Sequence, residues 1–545
     1  MVTRGYEERT SLSERLRHGS RDFRHQLQDI LSNPAFAVTE KQSQEQRRQN
    51  AYDQLRDLVK EVGSTRSVAT NLPELFAVFD WSAVLATDLI PLISGHYNLA
   101  SGSLATLTDS ASAAPYLADL DDVSSVGIPV ARVCVIGARF IDTAGVDQGV
   151  HLFAARLRGA DGEPCQGVTI TQLDHQPLVI MDNSVISFDN LRVERGAWLS
   201  NDLATIDAAG VLTWYNEGSR KRAFASAISQ LTVGRLALSS CLNATARAAL
   251  YMALRYAAKR VVPLTSADSP FIIEIPHVRD TLLTDLAGTV ARTVYGNAIK
   301  TFLAGSDLAD RETVVAVMLA KHFIQLHALD TVNHCRIKMG AQGMFSANRV
   351  ADYLGVCHPA ITGEGDCHGL GSVAGRVLAK QLSGTLPPEA RLHDPADPGD
   401  RAHLFGVRTL TIAQEAQPHL ATPALADRLT VILEALELAE SYCAEEALSL
   451  LHRHGEVAEI RSVRDVFALH YPDQHAAWYL TRGLLDNVAV ETTKRLLRRA
   501  IQDLADSSSA PLDAFDFDDE ILGAPALSED LPAAWDSRCS APIRH

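Results

Sequence analysis

The sequence predicts a mainly α fold with a small β domain set into it, and three observations support that reading. On either side of residues 126–200, long stretches place apolar residues at three- and four-residue steps, the period of a helix packed on one face. Between them lie short β-branched runs separated by Gly, Pro and Asp, which read as strands and turns. Residues 382–401, LSGTLPPEARLHDPADPGDR, interrupt the later helical part with a linker rich in Pro, Gly and Asp. The expected order is an N-terminal helical domain over 1–125, a β domain over 126–200 and a central domain over 201–381 built on a four-helix bundle. After the linker come a second helical domain over 402–510 and an extended tail over 511–545. A chain of 545 residues is too long for one core, as this division requires.

Composition narrows the function classes. Hydrophobic residues make up 46% and the net charge is −16, so nucleic acid is not an expected partner, because phosphate binding needs a basic face. No run approaches the roughly twenty apolar residues of a membrane span. The opening MVTRGYEERT lacks the apolar core of a signal peptide, and the closing Ile543-Arg-His545 is not a peroxisomal tripeptide. Cytoplasm is the expected location. The eight cysteines are scattered and read as thiols rather than a disulfide framework. Cys357-His358 and Cys367-His368 form two Cys-His dipeptides, but they are ten residues apart, wider than compact zinc spacing, so no metal site is expected.

In chain order, QSQEQRRQNAYDQLRDLVKEV is the clearest early helix, with Tyr52, Leu55, Leu58 and Val59 on one stripe. The stretch from Leu72 to Leu107 looks more buried, broken by Pro91 and Gly95, and its His96 reads as a hydrogen-bonded histidine at a helix end. From Ile128 the period becomes strand-like through PVARVCVIGARFI, GVHLFAARLR, GVTITQL and LVIMDNSVISFDNLRV. An acidic turn then leads to an alanine-rich helix over Phe224–Arg260. Arg220, Lys221, Arg222, Arg247, Arg255, Lys259 and Arg260 make this the most basic part of an acidic chain. A pyrophosphate or a CoA could be held here by charge-assisted hydrogen bonds, or the residues could form a solvated face.

The densest signal runs from Thr331 to Leu370. Val315, Leu319, Phe323, Leu326, Leu329, Val332 and Met339 form the apolar stripe of a long helix that Gly340-Ala-Gln-Gly343 stops, since glycine accepts the positive φ of a C-cap. A second run leads to Thr362-Gly-Glu-Gly365, where Glu364 sits between two glycines without bulky neighbours. In apolar surroundings such a carboxylate becomes a usable general base.

This stretch resembles the flavin-dependent acyl-CoA oxidases and acyl-CoA dehydrogenases, whose segments read like ACGGxG(Y/F)S…TFEGxN. Gln148-Gly-Val-His-Leu-Phe153, Ser187-Phe-Asp-Asn-Leu-Arg-Val193, Arg255-Tyr-Ala-Ala-Lys-Arg260 and the ending ETTKRLLRRAIQDLA extend the likeness over nearly the whole chain. Gly95-His-Tyr-Asn-Leu99 is similar to a segment of the bacterial acyl-CoA oxidases. The resemblance implies Glu364 as the base that removes the α-proton of an acyl thioester while FAD takes the β-hydride. It implies Arg260, Gly340, Gln342 and Gly343 as contacts to FAD, partly across a subunit boundary, and a homodimer or dimer of dimers. Arg220, Arg222 and Arg255 are candidate contacts to acyl-CoA or a carrier-bound acyl thioester.

Four departures lie on the flavin side. No TExGxG-like motif precedes Gln148, so the β domain reads as reduced. Pro263 and Leu264 stand for the family's FG, Ala341 for glycine, and Cys367 for Asn or Thr. They keep open the same fold without FAD doing isomerisation, elimination or cyclisation, a non-catalytic partner of an active paralogue, and a hydroxylating flavoprotein.

Overall fold

The computed structural model describes residues 11–36, 42–122, 131–174, 183–262, 270–385, 392–421, 425–453, 458–536 and 538. The chain divides into two compact units. One comprises Gly19–Cys241 and Leu303–Val314; the other comprises Met1–His18, Leu242–Phe302 and Val315–His545.

In the Gly19–Cys241 unit the early helices begin where serine caps allow. Ser20 accepts from the Phe23 N–H ahead of Arg21–Leu31, and Ser43 forms a capping box with Gln46 ahead of Gln44–Val62. Leu72–Leu85 is buried from Leu75 onward, and its Asp80 is met inside the core by Arg24 at 3.8 Å and by the Ser240 hydroxyl. A buried carboxylate needs such partners. Ser94–Gly102 winds as a π-helix, with His96 buried and its Nε2 3.3 Å from the Thr65 hydroxyl.

Among the described residues the β region forms three antiparallel hairpins: β1 (Val133–Ile141) with β2 (Asp147–Arg156), β3 (Val168–Gln172) with β4 (Ser184–Phe188), and β5 (Ala204–Ile206) with β6 (Leu212–Trp214). The β5–β6 hairpin begins in NDLATIDAAG, the stretch read as an acidic turn, and turns on Gly210 at φ +82°. Gln148 and His151 of the QGVHLF phrase tie the hairpins together. Trp214 Nε1 donates to Gln148 Oε1 at 3.2 Å, and Trp198 Nε1 donates to His151 Nδ1 at 3.2 Å. The step from Gly127 to Pro129, on which the reduced β domain was read, lies outside the described residues.

The alanine-rich helix is two helices rather than one. Glu217–Ala227 ends at Ile228, and Gln230–Lys259 begins after it. Composition alone could not show this, because Ser229 and Gln230 are tolerated inside helices.

The second unit holds the bundle. Asn243 Nδ2 donates to the Thr293 hydroxyl at 2.7 Å, joining Gln230–Lys259 to Pro276–Ala304. Arg292 packs its guanidinium 3.9 Å from the centre of the Phe323 ring, which joins that helix to Arg311–Lys338. The fourth helix is Cys367–Gln381. Four further helices, Pro398–Ala421, Leu425–Arg453, Ala458–Gln474 and Asn487–Ser507, follow the linker within the same unit. A Cβ on Gly375 would fall on the Ala435 carbonyl, so Cys367–Gln381 and Leu425–Arg453 meet backbone to backbone.

The tail is not an extended arm as far as residue 536. Ser509–Asp513, Asp519–Leu522 and Leu531–Asp536 are short helices that bury Leu512, Phe515, Phe517 and Leu522. Phe517 packs edge-on against Tyr251, whose hydroxyl donates to Asp519 at 2.9 Å. The aromatic residues of this segment find a helix to cover, and that apolar burial holds it in place.

Candidate active site

Arg311–Lys338 is buried on more than the expected stripe. Val315, Leu319, Phe323 and Val332 are buried, and so are Val317, Ala320, Ile324 and Ala328. Polar residues on such a helix cannot all face water, and Lys321 and Gln325, one turn apart, are both 0% exposed. A buried ammonium costs several kcal/mol unless an acceptor meets it. Lys321 Nζ donates to the Gly363 carbonyl, and Gln325 Oε1 accepts from the Cys367 thiol at 3.4 Å. The two residues hold the loop that carries Glu364 on both sides.

That loop follows Val350–Ala360. It is closed by Gly363 N–H on the Pro359 carbonyl at 2.8 Å and Cys367 N–H on the Ile361 carbonyl at 3.0 Å. Glu364 adopts φ +56° and Gly365 φ +111°. A left-handed residue other than glycine costs on the order of 1–3 kcal/mol and persists where its surroundings fix it. Glu364 is half-buried with Oε2 enclosed, whereas Asp366 is exposed and caps Cys367–Gln381 by accepting from Gly369 N–H at 2.6 Å. Two carboxylates two residues apart thus sit in different settings.

Three titratable neighbours of the loop are held uncharged. His322 is 6% exposed, lies against Gly371, and sits 5.9 Å from the His368 ring. Burial first, and His368 second, push its pKa down to about 4, so the ring is neutral. Burial pushes the Cys367 thiol up to about 11 although Lys321 opposes it, and burial pushes Cys357, beside the Thr245 hydroxyl at 3.9 Å, up to about 12. Both sulfurs are protonated thiols spent on packing. Among the described residues no group of three or more His, Cys, Asp or Glu could hold a metal ion.

The glycine turn is the 3₁₀ segment Gly340–Met344. Gly340 has φ +58° and open space where a Cβ would project, while Gly343 presses on the Arg336 backbone. Gln342 Oε1 accepts from Asn348 Nδ2 at 2.9 Å and from Trp535 Nε1 at 3.1 Å, so the tail reaches this turn. Trp535 also packs edge-on to Phe345 at 4.8 Å.

Two of the candidate arginines are engaged by nearby acids. Arg222 pairs with Asp307, and Arg255 lies 3.5 Å from Asp513 and 4.9 Å from the Tyr251 ring centre. Arg220 and Arg260 are exposed. Pro263 and Leu264 lie outside the described residues. Sequence reading missed Lys321. The signal available was the unbroken apolar run Val314–Ala320 directly ahead of it, which marks a buried stretch of the helix.

The Gly19–Cys241 unit carries a cavity of about 1030 Å³ lined by Tyr116, Arg156, Cys165, Asn190, Arg192 and Glu194 among others. Asp189–Val193 of the SFDNLRV phrase line it, but none of the candidate catalytic, cofactor or substrate residues does.

Comparison with known proteins agrees with the fold. Residues 229–379 match the acyl-CoA oxidase C-alpha1 domain. A putative peroxisomal acyl-coenzyme A oxidase 3.2 of Arabidopsis thaliana is 30% identical over 238 residues, 43% of this chain and 35% of that protein. Peroxisomal acyl-coenzyme A oxidase 3 of the same plant is 29% identical over 246 residues, 44% and 35% respectively. The chain's match therefore spans about a third of the length of these relatives. Among solved structures, acyl-CoA oxidase 1 of Yarrowia lipolytica superposes with TM-score 0.83 at 17% identity, covering 99% of this chain and 94% of that one. Acyl-CoA oxidase-2 of Caenorhabditis elegans, solved with FAD, ascaroside-CoA and ATP, gives 0.79 at 12% identity over 98% and 94%. These plant, yeast and nematode proteins do not single out a bacterial branch. The curated relatives are named as peroxisomal, which overturns the cytoplasmic location expected from the sequence. Sequence similarity to the acyl-CoA oxidase C-alpha1 domain is thus carried by residues 229–379, and the fold is that of the solved acyl-CoA oxidases.

Proposed function

We propose that this protein processes acyl thioesters by the oxidase/dehydrogenase route, with Glu364 as the base. The observation that supports this most directly is the Glu364 loop: a carboxylate at φ +56° between two glycines, with Oε2 enclosed and the loop tied to a fully buried lysine. An α-proton of a thioester is far less acidic than a carboxylic acid, so its removal needs a base that is positioned and shielded from water. In the proposed step the Cα–H proton passes to the Glu364 carboxylate, the Cβ–H bond releases a hydride, and a double bond forms between the two carbons. The substrate is an acyl-CoA or an acyl group on a carrier protein.

FAD is the cofactor this reading calls for, and Arg260, Gly340, Gln342 and Gly343 are the residues proposed to meet it. The fit test rests on the turn: Gly340 leaves its backbone open to a flat ligand, and Arg260 keeps an exposed cation. Gly343 is fitted to Arg336, so its part would be to shape the turn rather than to touch the ligand. Bound FAD supplies the hydride acceptor. Arg220, Arg222 and Arg255 are the proposed anion contacts; Arg222 would have to exchange Asp307 for the substrate. Ile337, Met344 and Phe345 expose 49%, 60% and 44% of their surface beside the turn, which supports assembly as a homodimer or dimer of dimers.

Glu364→Gln keeps the shape and removes the base. It is expected to lower solvent exchange of the α-hydrogen by at least about 10³-fold, the order of a lost general base, with thioester binding retained. Asp366→Asn keeps the helix cap, since Asn caps as well as Asp, and should change exchange less than about threefold. Normal exchange in Glu364→Gln would sink the reading. A flavin absorbance band in the purified protein, and a dimer mass by light scattering, test the cofactor and the assembly.

A further inference from the structure

We propose that the outer edge of β1 is an interface between two copies of this chain: β1 pairs antiparallel with β1 of a second copy about a two-fold axis at Ile136, joining the two β1–β2 hairpins into one continuous sheet. This interface does not depend on Glu364 or on FAD. It belongs to the Gly19–Cys241 unit, whereas the apolar residues beside the Gly340–Met344 turn belong to the other unit.

The direction of each backbone group follows from the register. Val133 lies opposite Arg156 and Gly137 opposite Leu152. Leu157 N–H donates to the Arg132 carbonyl at 2.7 Å, so these two form a hydrogen-bonded pair, and bonded and non-bonded pairs alternate along an antiparallel ladder. Cys134, Ile136 and Ala138 therefore bond inward to β2. The N–H and C=O groups of Val133, Val135, Gly137 and Arg139 point away from it. The same alternation turns Leu152 outward on β2, where its carbonyl accepts from Leu199 N–H at 2.9 Å. The outer side of β2 thus has a neighbour. On β1 none of the four outward residues has a backbone partner among the described residues.

The strand that carries this edge is held by both faces. Val133 and Val135 join a core with Leu117 and Leu120 of the helix Ser110–Asp121, and Phe140 packs with Trp198 on the opposite face. What remains is a fixed row of unpaired donors and acceptors, a template for another strand. Edges that stay single are blunted by charge, proline or a bulge. Here residues 133–138 read VCVIGA, without charge or proline, and the ladder becomes irregular only between Arg139 and Ile141.

A second copy fits this edge by its own symmetry. A two-fold axis at Ile136 sets Val133 opposite Arg139 of the second copy and Val135 opposite its Gly137, so all four outward residues meet outward residues. No other register within the regular part of the strand achieves this. Ile136 then faces its twin and Cys134 faces Ala138. Two copies of a chain with net charge −16 repel each other in general, and 133–138 is a run where no like charges are brought face to face. Arg139, at its end, is already paired with Asp147 of its own hairpin.

The test uses the full-length protein carrying Cys134→Ala and Ile136→Cys, mildly oxidised and read by peptide mass spectrometry. Residues opposite each other in a non-hydrogen-bonded antiparallel pair have Cα atoms about 4.5 Å apart, within disulfide reach. Two copies should be linked position 136 to position 136. Adding Val135→Pro removes an outward N–H from each copy and spares the ladder to β2, and proline is tolerated on edge strands. It should raise the protein concentration needed for half-maximal linkage on the order of 10–100-fold, the loss of one hydrogen bond per copy. Thr171→Lys, at an exposed residue of β3, should leave linkage unchanged. A folded protein with no link at 136 overturns the proposal, and so does linkage that Val135→Pro leaves unchanged or that Thr171→Lys weakens as much. A link from 136 to a different, co-purified polypeptide overturns it as well. If Val135→Pro does not fold, Gly137→Lys, which puts a charge on an exposed residue of the edge, is read by the same rule.

Discussion

Two glycine-bracketed turns in the same unit look alike in sequence and differ in what their glycines do. In the Gly340–Met344 turn, Gly340 faces open space, but Gly343 is a glycine because the Arg336 backbone leaves no room for a Cβ. In the Glu364 loop the glycines flank a residue that is itself left-handed, and a lysine ties the loop to the neighbouring helix. The first turn is fitted by steric exclusion and by contacts from the tail; the second is held by a buried charge. A glycine in a motif can therefore record ligand approach or internal crowding, and only the three-dimensional neighbours tell which.

The comparison can be broken most forcefully at Gly343. Gly343→Ala should destabilise the protein by about 3 kcal/mol, because backbone rather than a movable side chain blocks the new methyl. Gly340→Ala should cost only about 1 kcal/mol, the penalty of a left-handed alanine. Urea midpoints that rank the two the other way would show that the open glycine is the constrained one.

Acid should separate the turns next. His322 has a folded pKa of about 4, below its ordinary 6.5, so between those values the unfolded chain binds more protons. Its contribution is complete above pH 6.5 and lost progressively as pH falls towards 4, up to about 3 kcal/mol. His322→Asn should flatten that part of the stability profile. Hydrogen exchange at pH 5 should loosen 363–371 before 340–345, since Trp535 and Gln342 do not titrate.

The smallest effect belongs to the tail contact. Trp535→Phe keeps a ring against Phe345 and removes the indole N–H from Gln342, which retains Asn348. A loss of about 1 kcal/mol or less, with raised exchange confined to Gly340–Met344, is expected. Loosening of the Glu364 loop in the same variant would mean that the two turns are coupled.

Much of the fold was legible because helical and strand periods persist over many residues. The stripe from Val315 to Met339 and four of the six strands among the described residues could be read directly. The break at Ile228 could not, since alanine-rich sequence favours helix on both sides of it. The short β5–β6 hairpin hides in a polar turn, and the tail reads as an arm until Phe515 and Phe517 find the helix they cover. At the candidate site Glu364 stood out by its glycines. Lys321 did not, because a lone lysine in a helix ordinarily reaches solvent, and only the packing on every side of this helix denies it that. The pairing of Arg222 with Asp307 was equally invisible, since it joins residues distant in sequence.

The close meeting of Gly375 with Ala435 bears on how this chain can be cut or recombined. The proline-rich segment 382–401 looks like a joint at which a shorter version could end. Yet the helix carrying the Glu364 loop lies backbone against backbone on a helix from beyond that joint. Truncation there would bare a glycine-lined groove rather than a finished surface. Exchange of the later helices between relatives would succeed only where the incoming helix again brings a small residue to that crossing.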